Sequence, residues 1–227
     1  VVSTARGPVR GVVSQPALHL LTQERRKTLV EGFPLDNAYV DIGVRSEAEA
    51  RAKGVEVLDA VTFPAVLTEL AGDKWAGPGL GSKAVAAVLV AVADSLASAP
   101  PAGETILAWA AQTKFAARGR GPRPAVGAAR AKAKWLPART VVVDVVAAGT
   151  GEGSPVLGKG PVLIEPTDRS SALRRAFEAA ADKAGLPRQA LAAADSSLAL
   201  PFAAAPAEVL TVALPVQFLN TPSEVVD

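Results

Sequence analysis

The sequence predicts an α/β protein with a mixed, mostly parallel sheet flanked by helices, preceded by a β-rich segment. Short β-branched runs punctuated by Gly, Pro and Asp-Asn dominate residues 1–68, whereas strand and helix patterns alternate over residues 69–227. Strands that alternate with helices are typical of a parallel sheet covered on both faces. Apolar residues make up 49% of the 227 residues, which is enough to bury a sizeable core.

The first 68 residues contain short strands and two short helices. The predicted strands are Val1–Val2, Val9–Val13, Ala38–Gly43 and Val55–Phe63. Helices are predicted at Leu21–Lys27 and Ser46–Lys53. Ser46 is a suitable helix cap, and Glu47 and Glu49 lie where negative charge favours the positive end of the helix dipole. Gly54 is a suitable stop after the second helix.

The alternating pattern begins after residue 68. Ser82–Ser98 is a nearly all-apolar helix candidate, so we expect it to be buried on several faces. Two more helices are predicted at Ala125–Trp135 and Ser170–Ala184, the latter ended by Gly185. The predicted strands are Glu104–Ala111, Arg139–Val146, Pro161–Glu165 and Val209–Val216.

Composition favours a cytoplasmic protein that contacts no membrane. The 24 Lys and Arg nearly balance the 22 Asp and Glu, so net charge does not indicate a partner. The absence of cysteine excludes thiolate metal sites and fits a reducing compartment. Val1–Ser14 lacks the apolar block of a signal peptide. The longest apolar run, Ala84–Ala93, is far shorter than the roughly 20 residues that span a bilayer.

One segment is strongly basic. Eight Lys and Arg residues and no acid lie between Glu104 and Asp144. Lys114 and Arg118 in this segment are candidate contacts for phosphate or an acidic peptide, and a solvated face is the alternative. Nucleic acid is not an expected partner, because aromatic residues that stack on bases are not interleaved with these cations.

Several motifs occur in one order along the chain. They are Gly11-Val12-Val13 leading to Pro16–Leu21, Ala38–Gly43 with Ser46–Ala50, Val143–Val145, Leu157–Pro161 with Asp168–Ser170, and Leu219–Thr221 with Glu224–Asp227. In this order they resemble the segments G-V-I-G…P-P-H-L, Y-I-D-I-G…S-x-E-E-A, V-D-V-T, L-G-K-G-P with D-R-S, and I-H-S-x-x-E-V-V-D. These belong to the co-catalytic metallo-aminopeptidases of the tetrahedral, glutamyl-aminopeptidase-like family.

The resemblance implies an architecture of two parts. Residues 69–227 would be a zinc-aminopeptidase-like catalytic-type domain, and residues 1–68 an inserted β-barrel-like dimerisation domain. The family's upstream His-x-Asp metal motif and its last helix have no counterpart here, so we expect those parts to be absent. Because the family assembles through the inserted domain, the resemblance also implies a homo-oligomer.

The resemblance further implies that most of the catalytic residues are lost. The family uses two divalent ions, such as zinc, cobalt or manganese, bridged by an aspartate, with a glutamate as general base. In motif order, Gly81 stands at the bridging position, Thr113 at the general base, and Lys114 and Asn220 at two ligand positions. Only Asp144 keeps a ligand, and one carboxylate cannot hold a dinuclear centre. We therefore expect no metal cofactor.

Other residues have two open interpretations. Lys114 either pairs with Asp144 in place of the metals or faces solvent. Asp168 and Arg169 either contact a ligand or form a local turn.

His19 and the Asp195-Ser196-Ser197 segment are interpreted as structural. His19, the only histidine, is expected to have a structural or surface role. Asp195-Ser196-Ser197 is expected to form a turn, since no base for a nucleophilic serine lies near it in sequence.

The favoured hypothesis is a homologue that has lost peptidase activity and acts as an oligomeric scaffold or regulatory subunit. One alternative is an active metal-dependent aminopeptidase that removes N-terminal residues from peptides. The other is a module that binds peptides or acidic ligands without turnover, with Lys114 and Arg118 as anion contacts.

Overall fold

The computed structural model describes residues 1–14, 17, 19, 21–31, 38–113, 125–165, 171–193, 196–203 and 207–227. It contains two compact units, Val1–Pro64 and Ala65–Asp227. The assignment of a dimerisation role to the first unit, and of a catalytic-type fold to the second, stays a prediction.

The first unit contains two small antiparallel sheets. Strands β1 (Val2–Thr4), β2 (Gly7–Val9) and β5 (Ala60–Val61) form one in the order β2-β1-β5, and β3 (Val12–Ser14) pairs with β4 (Tyr39–Asp41) in the other. The helices are α1 (Gln23–Glu31) and α2 (Glu47–Ala52). These elements agree with the predicted β-rich character, whereas a barrel-like closure stays a prediction.

Local sequence signals explain the bounds of two of these elements. Ser46 caps α2, because its Oγ accepts a hydrogen bond from the Glu49 N–H at 3.2 Å. Gly54 follows the helix with φ +88°, a conformation that favours glycine. The strand predicted over Val55–Phe63 is wrong in extent: only β5 is extended and paired, because Leu58 has φ +77° and interrupts the extended backbone.

The second unit is a mixed α/β structure with two sheets. Its strands are β6 (Thr68–Glu69), β7 (Trp75–Gly77), β8 (Arg139–Ala147), β9 (Val162–Glu165), β10 (Gln189–Ala192), β11 (Glu208–Val216) and β12 (Glu224–Val226). Its helices are α3 (Leu80–Ser98), α4 (Val126–Trp135), α5 (Ala172–Lys183) and a 3-10 turn, Leu200–Phe202. The larger sheet has the order β10-β9-β11-β8, and the smaller one β12-β7-β6.

The larger sheet has parallel and antiparallel pairs and is covered on both faces. β8 runs parallel to β11 and β9 parallel to β10, whereas β9 and β11 are antiparallel. One face carries the buried cluster Val162, Ile164 and Ala213, and Val209 on the same face packs against the cluster that contains Ala128 of α4. Side chains alternate along a strand, so Leu210 and Val212 point to the opposite face, where Leu173 and Phe177 of α5 cover them. The flanking helices therefore agree with the predicted fold class.

The prediction that the apolar helix is buried on several faces is wrong. Gly81 is the only buried residue of α3, and Val88, Val90 and Val92 are 37%, 52% and 38% exposed. A run of apolar residues indicates that a helix is suited to burial, but the helix is buried only where other segments pack against its outer face. Among the helices that the structure describes, only α3 is long and apolar enough to cross a membrane, and one such helix is weak evidence for a span.

The prediction of a strand at Glu104–Ala111 is also wrong. The segment is irregular in the structure, with Ile106 and Trp109 42% and 51% exposed. The Trp109 Nε1 donates to the Ala86 carbonyl of α3 at 3.4 Å, so the segment contacts α3. A strand needs a hydrogen-bonded neighbour, and no described strand pairs with this segment.

Candidate functional site

A buried carboxylate joins the two segments that contain Gly81 and Asn220. Glu224 in β12 is only 5% exposed. Its Oε2 accepts a hydrogen bond from the Gly81 N–H at 2.8 Å, and its Oε1 accepts one from the Asn220 N–H at 2.9 Å. The carboxylate thus lies at the N-terminus of α3, where the helix dipole favours negative charge. It holds the first turn of the helix against the turn that follows β11.

Sequence reasoning missed the role of Glu224. In the sequence, Glu224 stands out only as part of a motif with Val225, Val226 and Asp227. The available signal is a charged residue at the start of a β-branched run. If the strand is buried, the charged side chain needs a partner. Its partners are backbone N–H groups, and no residue pattern reveals those in advance.

Gly81 packs too tightly for any side chain to replace it without movement. A Cβ built at this position would lie 2.9 Å from the Val216 Cγ2 and 3.0 Å from the Val145 Cγ1. Contacts this short force a neighbour to shift. Two valines of the larger sheet therefore fill the space beside the predicted bridging position, and a ligating carboxylate has no room there.

Asp144 lies on the other face of the sheet from Gly81. Val145 points toward Gly81, and alternation along β8 places Val142, Asp144 and Val146 on the opposite face. Asp144 is half-buried, and its Oδ1 accepts a hydrogen bond from the Val145 N–H at 2.8 Å. The structure therefore does not bring the retained ligand together with the predicted bridging position.

The face that carries Asp144 has other polar groups. Thr140 and Thr211 share it, and their buried hydroxyls have no hydrogen-bond partner among the residues that the structure describes. Lys114, Arg118, Asp168 and Arg169 lie outside those residues. The Lys114–Asp144 pair and the ligand roles of the other three therefore stay predictions.

The remaining predicted residues are half-buried or exposed, and of these Asn220 is linked to Gly81 through Glu224. Thr113 is half-buried and follows Gln112, whose Oε1 accepts a hydrogen bond from the Arg130 Nη1 at 3.5 Å. Asn220 is exposed and has φ +65°. His19 is exposed, in agreement with its predicted structural or surface role. Ser196 Oγ accepts a hydrogen bond from the Ala199 N–H at 3.3 Å, which agrees with a turn.

The described residues do not fit a dinuclear metal centre. No group of three or more His, Cys, Asp or Glu side chains in this part of the chain is arranged to hold an ion. A co-catalytic pair needs several anionic or imidazole ligands around one pocket. Here one candidate position is a tightly packed glycine, and the nearest carboxylate, Glu224, is engaged by two backbone N–H groups.

A groove of about 450 Å³ lies elsewhere in the second unit. It is lined by Leu163, Arg174, Glu178, Leu186, Pro187, Arg188, Gln189 and Ala190. Arg174 pairs with Glu178 at 2.9 Å, and Arg188 pairs with Asp182. The hydrogen bond to Asp182 raises the pKa of Arg188 above its ordinary value. Because carboxylates balance both guanidinium groups, this groove is a weak candidate for binding anions.

The fold places this chain in the class of α/β proteins, with a mixed sheet between layers of helices, and it also contains a β-rich unit. The chain belongs to the M42 glutamyl aminopeptidase family, whose family model matches residues 1–227. This confirms the family inferred from the ordered motifs.

Solved structures share this fold. A TET aminopeptidase from a marine sediment archaeon of the Thaumarchaeota is 19% identical, with a TM-score of 0.72, over 100% of this chain and 64% of its own. An aminopeptidase from the archaeon Desulfurococcus kamchatkensis is 17% identical, with a TM-score of 0.71, over 100% of this chain and 63% of its own. The TET1 peptidase of Pyrococcus horikoshii is 22% identical, with a TM-score of 0.69, over 99% of this chain and 65% of its own. This chain thus spans slightly under two thirds of the length of these proteins.

Proposed function

We propose that this chain is an M42 homologue that holds no dinuclear metal centre, does not hydrolyse peptides, and acts as an oligomeric scaffold or regulatory subunit. One observation carries the proposal: Gly81 is packed against Val145 and Val216 while Glu224 binds its N–H. Without a bridging carboxylate, two cations close together repel each other, and the water between them is not activated.

Assembly is supported by relatives and by the surface of the first unit. The P. horikoshii TET1 peptidase can assemble into a tetrahedron or a large octahedral shell. In the first unit of this chain, Val12, Val57, Leu58 and Phe63 are 69%, 83%, 98% and 58% exposed. A contiguous patch of exposed apolar side chains is typical of an interaction surface, and the proposal takes these four to belong to one patch. A cytoplasmic location and the binding of peptides remain parts of this proposal.

Metal content tests the loss of the catalytic centre. We expect the purified chain, dialysed against zinc, cobalt or manganese and then against buffer, to retain no stoichiometric metal by plasma mass spectrometry. EDTA should leave the midpoint of thermal unfolding unchanged, because no ion stabilises the folded state. Two equivalents of metal per chain, or a lower midpoint in EDTA, would contradict the proposal.

The second candidate is an active metal-dependent aminopeptidase, favoured by the family match along the whole chain. Its ligands would have to come from residues other than those the structure describes. Metal-stimulated release of p-nitroaniline from amino-acid p-nitroanilides distinguishes the two candidates. Turnover that EDTA abolishes and zinc, cobalt or manganese restores supports the enzyme; no turnover with any of the three ions supports the scaffold.

Substitutions in the first unit test assembly. Val12→Glu and Val57→Glu are each expected to lower the particle mass measured by light scattering at least about twofold, because a charge in an apolar contact must be desolvated. Val156→Glu is the control, since Val156 is 46% exposed and lies in the second unit. Equal masses for the variants and the unsubstituted chain would show that this apolar surface of the first unit does not form the assembly contact.

A further inference from the structure

The connection between β8 and β9 contains the Leu157–Pro161 motif. We call residues 149–161 the strap. Five of its residues are glycine, and the structure describes all of it, without a helix or strand. The Gly149 N–H donates to the Pro155 carbonyl at 3.0 Å, which closes the first half of the strap into a loop. A glycine-rich segment without regular structure has little order of its own, so its conformation depends on contacts with neighbouring elements.

One side chain supplies most of these contacts. Gln189 is the first residue of β10 and is half-buried. Its Oε1 accepts a hydrogen bond from the Val156 N–H at 2.8 Å, and its Nε2 donates to the Val156 carbonyl at 2.9 Å. The same Nε2 donates its second proton to the Gly160 carbonyl at 2.9 Å. The amide of Gln189 therefore pairs with Val156 as the backbone of a neighbouring strand would, and it also holds the end of the strap.

These partners fix the orientation of the Gln189 amide. If the amide were turned over, its oxygen would face two carbonyl oxygens and its NH2 group would face an N–H, so all three bonds would be lost. Gly160 allows the close approach: its φ is +81°, and a Cβ at this position would overlap the Pro187 carbonyl oxygen. The motif thus carries glycine at a position that the contact with β10 requires.

The strap begins at the carboxyl end of β8. β8 runs parallel to β11, and the Ala148 N–H continues this ladder by donating to the Val216 carbonyl at 2.8 Å. Asp227, which follows β12, lies beside the strap: a Cβ built on Gly158 would be 3.2 Å from its Oδ2. In α/β sheets, the loops that contact ligands project from the carboxyl ends of the parallel strands. Movement of the strap would therefore change this edge of the sheet.

We propose that Gln189 is a latch. Its side chain keeps the strap closed, and the strap opens as one unit when the three hydrogen bonds break, while the larger sheet stays folded. Local opening of this kind is typical of segments with few buried residues, and Pro155 is the only buried residue of the strap. The latch goes beyond the proposed function and does not depend on it, because it uses only contacts within the second unit.

Hydrogen exchange of the full chain, followed by mass spectrometry of its peptides, tests the latch. The Val156 N–H donates to Gln189, so its exchange reports opening directly. In Gln189→Ala, we expect the amides of residues 150–161 to exchange about 10- to 100-fold faster, and those of β11 to change less. Gln217→Ala is the matched control and should leave the strap unchanged: Gln217 is also half-buried, and its described hydrogen bonds come from its backbone.

Gln189→Glu separates the hydrogen bonds from the shape of the side chain. An ionised glutamate keeps the size and an acceptor oxygen but has no donor, so we expect it to release the strap as fully as alanine does. Cleavage by Glu-C endoprotease after Glu152, an exposed residue of the strap, gives a second readout. We expect faster cleavage at this bond in both Gln189 variants and an unchanged rate in Gln217→Ala.

Four results would overturn the proposal. One is an unchanged exchange rate over residues 150–161 in Gln189→Ala. A second is equal acceleration in the strap and in β11, since Gln189 would then support the whole unit. A third is slow exchange in Gln189→Glu, because the donor bonds would then contribute nothing. The fourth is loss of the folded circular dichroism spectrum in Gln189→Ala, because the sheet would not survive opening of the strap.

Discussion

Replacing Glu224 with alanine is expected to lower the free energy of unfolding by about 2–5 kcal/mol. The substitution leaves the buried N–H group of Gly81 and the partly buried N–H group of Asn220 without an acceptor, and an unsatisfied buried group costs about 1–3 kcal/mol. It also removes a negative charge from the N-terminus of α3, where it is stabilising. Urea unfolding followed by circular dichroism measures the change as a shift of the midpoint.

Two variants separate this effect from general damage. Glu224→Gln keeps one acceptor oxygen, so we expect its free energy of unfolding to lie between that of the unsubstituted chain and that of Glu224→Ala. Glu208→Ala is the matched control: the Glu208 Oε1 also accepts a backbone N–H, that of Ala172 at 3.0 Å, but in an exposed position. Water can replace that bond, so the loss should be about 1 kcal/mol or less. Equal losses for Glu224→Ala and Glu208→Ala would show that the bonds from Glu224 to the N–H groups of Gly81 and Asn220 contribute no special stability.

Restoring an aspartate at the predicted bridging position is expected to damage the fold rather than rebuild a metal site. Gly81→Asp places a Cβ 2.9 Å from the Val216 Cγ2 and 3.4 Å from the Glu224 Oε2. Overpacking of this kind costs about 1–3 kcal/mol. A second carboxylate buried beside Glu224 adds several kcal/mol more unless it is protonated or paired. We expect a loss above about 4 kcal/mol, or no folding.

Gly81→Ala isolates the steric part and should lose only about 1–3 kcal/mol. Both variants are to be unfolded with and without zinc, cobalt and manganese. We expect no recovery of the Gly81→Asp variant, because Asp144 lies on the opposite face of the sheet. A rise in its stability in the presence of one of these ions would mean that the two carboxylates can reach a shared metal, and the proposed loss of the centre would fail.

The sequence by itself determined the local structure and the family. Runs rich in β-branched residues predicted β8 and β11, and the cap of α2 followed from Ser46 and Gly54, because these signals are local in the chain. The order of the motifs identified the family. The same order predicts the positions at which ligands are replaced, and that assignment stays a prediction.

Only the tertiary structure decided how these positions relate in space. The register of β8 places Asp144 and Val145 on opposite faces, and backbone N–H groups of residues far apart in sequence meet at Glu224. The exposure of α3 and the lack of a ladder at Glu104–Ala111 likewise depended on which neighbours are present. The physical reason is that burial and strand pairing are relations between segments, and a residue pattern describes only one segment at a time.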